Sequence, residues 1–132
     1  MNQINFHHYG LAVKELNEPI RFHENLGYVC SKPIIDPIQN VELVLCKSDT
    51  MPWVELVKPI NDASPINGYI KKNKVIIYHV CYELDNLDLK SKLFSKNKIL
   101  WETSPQSAIL FNNRLISFHF IKNIGLVEIL QK

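Results

Sequence analysis

Residues 4 to 13, INFHHYGLAV, are dense in aromatic and aliphatic side chains and predict a strand. The period then changes. In NEPIRFHENLG, residues 17 to 27, Ile20, Phe22 and Leu26 form much of one helical face. Asn17 stands as N-cap, Pro19 sits in the first turn, and Gly27 suits the C-terminal cap. Three strand-like runs follow, YVCSKPII, VELVLC and WVELVKP, separated by the turn-forming segments DPIQN and KSDTMP. The segment 61 to 73, NDASPINGYIKKN, carries Pro, Gly and polar residues and reads as a linker with room for a helical turn. The order then begins again. VIIYHVCYEL is a strand, NLDLKSKLFSKN places Leu87, Leu89, Leu93 and Phe94 at near-helical spacing, and ILWET, RLISFHFI and GLVEILQ are three further strands. The pattern predicts an α+β chain of two βαβββ modules, 1–60 and 74–132, joined by the linker 61–73 within one domain of residues 1–132.

Self-comparison sharpens this reading. Laying His8 on His79, a shift of 71, also brings Val13 over Leu84 and Leu16 over Leu87. Later in each half VEL, 54 to 56, meets VEI, 127 to 129, so that Glu55 falls on Glu128 at a shift of 73. Each module therefore supplies one His early and one Glu late. A repeat of about seventy residues is too long for a solenoid unit and points to tandem duplication of a supersecondary module.

Bulk properties narrow the class. With 132 residues and 46% hydrophobic content, the chain suffices for one core that buries roughly two thirds of the unfolded surface. Fifteen Lys and Arg against 13 Asp and Glu leave a net charge of +2, and YIKKNK, 69 to 74, is the densest basic run. No stripe of that kind tracks a phosphate backbone, so nucleic acid is not an expected partner. The three cysteines, Cys30, Cys46 and Cys81, are far apart with no CxxC spacing, which does not indicate a disulfide framework. MNQINFHHYG shows neither a basic nor an apolar leader region, and no apolar run reaches the ~18 residues of a membrane helix. The expected location is the cytoplasm, with no membrane partner.

An imidazole in the apolar run VIIYHVCYEL is ordinarily a core histidine with a local hydrogen bond. Its duplicate in the first half changes that weighting. Alternation along a strand puts Trp53, Glu55 and Val57 on one face, and Leu126, Glu128 and Leu130 on another. A carboxylate buried among such neighbours costs several kcal/mol unless a positive charge compensates it. Two imidazoles and two carboxylates make an N₂O₂ donor set suited to octahedral Co²⁺, Ni²⁺, Mn²⁺ or Fe²⁺ with two positions open, and to Zn²⁺ as well.

The paired modules, with His8 in HHYGLAV, Glu55 in WVELVKPIND, His79 in YHVCYEL and Glu128 in GLVEIL, resemble the vicinal oxygen chelate (glyoxalase/bleomycin resistance/dioxygenase) superfamily over nearly the whole chain. The resemblance is to the branch containing glyoxalase I and methylmalonyl-CoA epimerase. It implies a cup-shaped, half-barrel sheet with helices outside, and a divalent metal held by His8, Glu55, His79 and Glu128. The implied activity is a metal-dependent isomerase or epimerase acting through an enolate on a small-molecule acyl thioester, carried on CoA or on a carrier protein. Glu42 and Glu128 are then the implied catalytic carboxylates, one for each face of the reacting carbon. His119, alternating with Ser117, becomes a candidate lining residue of the cup, and Arg114 a candidate for a substrate carboxylate or phosphate. The family allows either a monomer or a homodimer.

Two features bear on the branch. Epimerases of this family usually carry Gln where Glu55 stands, whereas glyoxalase I usually carries Glu, so a glyoxalase I-like lactoylglutathione lyase is the alternative activity. The glycine-rich loop and His-Pro pair common before the last strand are absent: Phe120 and Ile121 stand at that place. A metal-free small-molecule binding or antibiotic-resistance protein is the third reading, set against it by retention of all four ligand types. His23, on the amphipathic helix, is expected at the surface.

Overall fold

In the computed structural model, residues 3–73, 75–86 and 88–132 are described, and the chain divides into two compact units. One spans residues 8–78. The other comprises residues 79–132 with the N-terminal residues through His7.

Strand β1 (Ile4–Ala12), in the first unit from His8 onward, leads into α1 (Asn17–Asn25), then β2 (Val29–Cys30), β3 (Ile34–Asp36), β4 (Val41–Lys47), β5 (Trp53–Pro59) and α2 (Asn67–Asn73). The strands lie in the order β2-β4-β5-β1, with β3 also paired to β4. β5 runs parallel to β1 and antiparallel to β4. One face of β4 and β5 supplies Val44, Cys46, Val54 and Leu56 to a core completed by Val13, Leu16 and Tyr28, with Ile20 of α1 packed against it. Each Leu or Val fully buried there contributes roughly 1.5–3 kcal/mol.

Three local expectations are corrected. The run YVCSKPII is two short strands, β2 and β3, interrupted at 31–33, where Pro33 has no N–H for a ladder. Helix α1 is capped by Glu15 in place of Asn17: the Glu15 carboxylate accepts from the N–H of Asn17 at 2.7 Å and of Glu18 at 3.0 Å. His23 is buried, its Nδ1–H donating to the Pro19 carbonyl at 2.7 Å, because it lies on the helix face that meets Tyr28. Gly27 closes the helix as expected, at φ +103°.

Strand β6 (Ile76–Leu84), in the second unit from His79 onward, precedes α3 (Asp88–Phe94), β7 (Ile99–Glu102), β8 (Gln106–Ala108), a 3₁₀ turn (Ile109–Phe111), β9 (Arg114–Ile121) and β10 (Gly125–Gln131). The order is β6-β10-β9-β7, with β8 on β9. β10 runs parallel to β6 and antiparallel to β9. Leu84, Ile121, Val127 and Ile129 form the core beneath Leu89, Leu93 and Phe94 of α3. Leu87, counted on the same helix face from the sequence, lies outside the described residues. Strand β8 was not expected. It forms because Asn112 and Asn113 take left-handed φ of 57° and 61°, turning the chain back so that Asn113 N–H reaches the Ala108 carbonyl at 2.9 Å. The N-terminal residues join this unit by local contacts. The Asp85 N–H donates to the Gln3 carbonyl, the Phe6 ring meets Tyr82 edge-on, and the His7 ring meets Phe111.

The tandem βαβββ organisation is thus borne out, each module adding one short strand. Both modules place their first and last long strands in a parallel pair, β1 with β5 and β6 with β10.

Candidate active site

The parallel pair of each unit carries the duplicated His and Glu. Along β1 and β5 the partners are His8 with Trp53, Gly10 with Glu55, and Ala12 with Val57, so His8 and Glu55 share a face. Gly10, in the row of Glu55, brings no side chain to that row. His8 Nε2 lies 3.7 Å from Glu55 Oε1, and both residues are buried. In the second unit Glu128 pairs with Cys81, and His79 Nε2 lies 3.9 Å from Glu128 Oε2, again with both buried. The rings and carboxylates thus repeat one arrangement in two units, as duplication of a strand pair requires.

Each pair offers donors of a kind that can hold a metal ion. Two donors on one ion, each about 2.1 Å away, stand no more than about 4.2 Å apart. The separations of 3.7 Å and 3.9 Å satisfy that limit and exceed ordinary hydrogen-bond length. Burial pushes the His79 pKa down to about 3, which keeps its ring neutral near pH 7 as a ligand must be. Beside it stands the Phe118 ring, edge-on at 5.6 Å between centroids.

Glu42 is not part of this arrangement. Across β4 and β5, Leu45 pairs with Glu55 whereas Glu42 pairs with Lys58 and Val44 with Leu56. Directly paired residues share a face, so Glu42 belongs to the side of Val44 and Leu56, opposite Glu55. There it meets Lys58 Nζ at 3.7 Å, with both side chains about one third exposed.

His119 is likewise moved. It pairs with Val127 and shares the α3-side face with Ser117 and Ile129, opposite Glu128 and Phe118. Its Nδ1–H donates to Glu102 Oε2 at 2.8 Å, and its Nε2 accepts from the Ser117 hydroxyl at 2.8 Å, with the Phe94 ring 5.0 Å away. This is the order of donors in a Ser-His-acid relay, but Ser117 is 1% exposed within the core, so the chain satisfies buried polar groups.

Arg114 does lie on the Glu128 face, in the alternation that includes Ile116 and Phe118. It is held there by an ion pair with Glu83, and its Nε–H donates to the Gln131 carbonyl at 2.8 Å. The sequence reading missed Asp36. This carboxylate, 1% exposed, pairs with Val41 on the Glu55 side and accepts from the N–H groups of Ile38 and Gln39 and from the Gln39 amide. An Asp-Pro start to a turn was the available signal.

Tandem βαβββ modules, each with a buried His–carboxylate pair on its parallel strands, define a duplicated α+β scaffold of the metal-site kind. The chain belongs to the Glyoxalase/Bleomycin resistance protein/Dioxygenase superfamily, whose family model matches residues 7–118. It is 36% identical over 108 residues to the mitochondrial methylmalonyl-CoA epimerase of Bos taurus, covering 76% of this chain and 59% of that one. Against the Mus musculus enzyme of the same name the identity is 30%, over 94% of this chain and 71% of that one. The chain therefore spans well under two thirds of the bovine relative. Among solved structures, Streptomyces coelicolor methylmalonyl-CoA epimerase in complex with 2-nitronate-propionyl-CoA superposes with a TM-score of 0.80 at 17% identity, covering 99% of both chains. That likeness establishes the fold.

Proposed function

We propose that the chain is a metal-dependent epimerase of an acyl-CoA thioester whose α-carbon also bears a carboxylate, with His8, Glu55, His79 and Glu128 as its metal ligands. The observation that carries this reading is the repeated buried pair, His8 with Glu55 and His79 with Glu128, in a chain whose named relatives are methylmalonyl-CoA epimerases. The donor set fits such an ion. Two neutral imidazoles and two desolvated carboxylates have a net charge of about −2, which a divalent cation balances. When bound, the cation supplies Lewis-acid polarisation of the thioester carbonyl, which acidifies the neighbouring C–H.

The protein's own groups do the rest. Glu128, 1% exposed and 3.9 Å from His79, is the proposed base that takes the α-proton. Phe118, beside His79, gives the acyl portion an apolar wall. The Arg114 guanidinium, fixed by Glu83 and Gln131, is a cation on the Glu128 face for a substrate carboxylate or phosphate to meet.

The placement of Glu42 on the other face favours a second reading, in which a single carboxylate both removes and returns the proton. That is the pattern of a glyoxalase I-like isomerisation of a hemithioacetal, and the Glu at position 55 agrees with it. One experiment separates the two. The purified chain, loaded in turn with Co²⁺, Mn²⁺, Ni²⁺ and Zn²⁺, is incubated in D₂O with methylmalonyl-CoA or with methylglyoxal and thiol. Deuterium entering the thioester α-position, with loss of optical purity, supports the epimerase. Turnover of the hemithioacetal alone supports the lyase, and inactivity of every metal form on both substrates overturns both.

A further inference from the structure

We propose that Cys30 and Cys46 are a redox-active pair that closes to a reversible intramolecular disulfide under peroxide-class oxidants. Far apart in sequence, they are direct partners across the antiparallel strands β2 and β4, with Sγ atoms 3.0 Å apart. The hydrogen bond from the Ser31 N–H to the Leu45 carbonyl, 2.9 Å, flanks the pair. It makes Cys30 and Cys46 a non-hydrogen-bonded pair of the ladder, the position at which opposing Cα atoms approach to about 4.5 Å. That falls inside the ~4.4–6.8 Å range a disulfide spans, so the bond closes with little backbone movement.

The two thiols differ in the way a stepwise oxidation needs. Cys30 is half-buried on the short edge strand, while Cys46 is fully buried in the core with Val44, Val54 and Leu56. Burial, followed by its contact with Cys30, pushes the Cys46 thiol well above the ordinary range, so it stays protonated. The half-buried Cys30 sulfur is therefore the group that attacks peroxide: the O–O bond breaks, Cys30 becomes the sulfenic acid, and the thiol proton leaves with the departing oxygen as water. Cys46 sulfur then displaces the sulfenic oxygen, forming the S–S bond, and its proton leaves with that oxygen as water. In total two thiols lose two electrons and two protons to one peroxide, which becomes two waters. A dithiol reductant reverses the step by exchange.

Closure would tie the edge strand β2 to β4, the strand whose Leu45 stands across from Glu55, and would enclose β3 and the Asp36 turn in the covalent loop. Cys81, on β6, takes no part.

The test treats the intact, reduced chain with hydrogen peroxide and follows intact mass, free thiols and cross-linked peptides. The expected product is a monomer lighter by two hydrogens, with two of its three thiols gone, a peptide joining residues 30 and 46, and Cys81 still a thiol. Dithiothreitol restores all three thiols. The oxidised chain melts at a higher temperature than the reduced one, and Cys30→Ser, at a half-exposed edge where a hydroxyl is tolerated, abolishes both cross-link and shift. Addition of one or two oxygens at Cys30 without a cross-link, a disulfide that includes Cys81, or a covalent dimer would each overturn the proposal.

Discussion

Glu42 and Glu55 project from opposite faces of the β4–β5 pair: Glu55 stands across from Leu45, and Glu42 across from Lys58. A base must reach the proton it takes, so this relationship separates the two carboxylates chemically although they are thirteen positions apart on adjoining strands.

Glu42→Gln is therefore expected to leave α-proton exchange nearly unchanged. Its ion pair with Lys58 is partly exposed, so stability falls by no more than ~1 kcal/mol. Deuterium exchange and urea unfolding check both. A loss of exchange beyond tenfold would return Glu42 to the reaction.

For the proposed metal ligands the expected signature includes stability as well as activity. Glu128→Gln removes a buried carboxylate, so the metal-free protein should melt at the same temperature as the parent or higher. The same variant, like His79→Ala, should lose the rise in melting temperature that added metal gives the parent, and bind the ion at least about tenfold more weakly. Calorimetric titration with Co²⁺ and thermal scans measure this, and unaltered affinity in both variants would sink the ligand assignment.

Burial, the largest cause, holds the pKa of His119 below its ordinary value of 6.5, and Lys90 acts in the same direction, while the hydrogen bond to Glu102 and its charge oppose them. The unfolded chain thus takes up the proton first as pH falls. The contribution of the neutral ring is complete above about pH 6.5 and declines as pH drops below it. Denaturant unfolding between pH 7.5 and 5 should show this fall. His119→Gln should flatten it, and an identical slope in that variant would count against the assignment.

Gly27 ends α1 at φ +103°, a conformation costly for a residue with a Cβ, although nothing stands within 4 Å of a Cβ placed there. Gly27→Ala should destabilise the protein by about 1 kcal/mol from backbone strain alone, without altering metal binding. A urea midpoint equal to that of the parent would refute it.

The duplicated modules and their His–Glu pairs were legible in the sequence because strand alternation and internal repetition both act along the chain. His8 and His79 each open a module, Glu55 and Glu128 each lie in its last strand, and parallel pairing of first with last strand brings them together. The faces on which Glu42 and His119 stand were not legible, for one common reason. VELVLC and RLISFHFI are buried on both faces over much of their length, so polarity no longer marks which residues look toward which layer.

The sequence by itself determined the main elements, the repeat and the recurrence of one His and one Glu in each module, since these depend on period and residue type. Tertiary structure decided the phase between neighbouring strands. That phase follows from pairing register, which the loops KSDTMP and KNI set by their length and geometry, and a shift of one residue exchanges the two faces. Register alone put Glu42 beside Lys58, sent His119 beneath α3, and brought the thiols of Cys30 and Cys46 into contact across a ladder that no spacing in the chain announces.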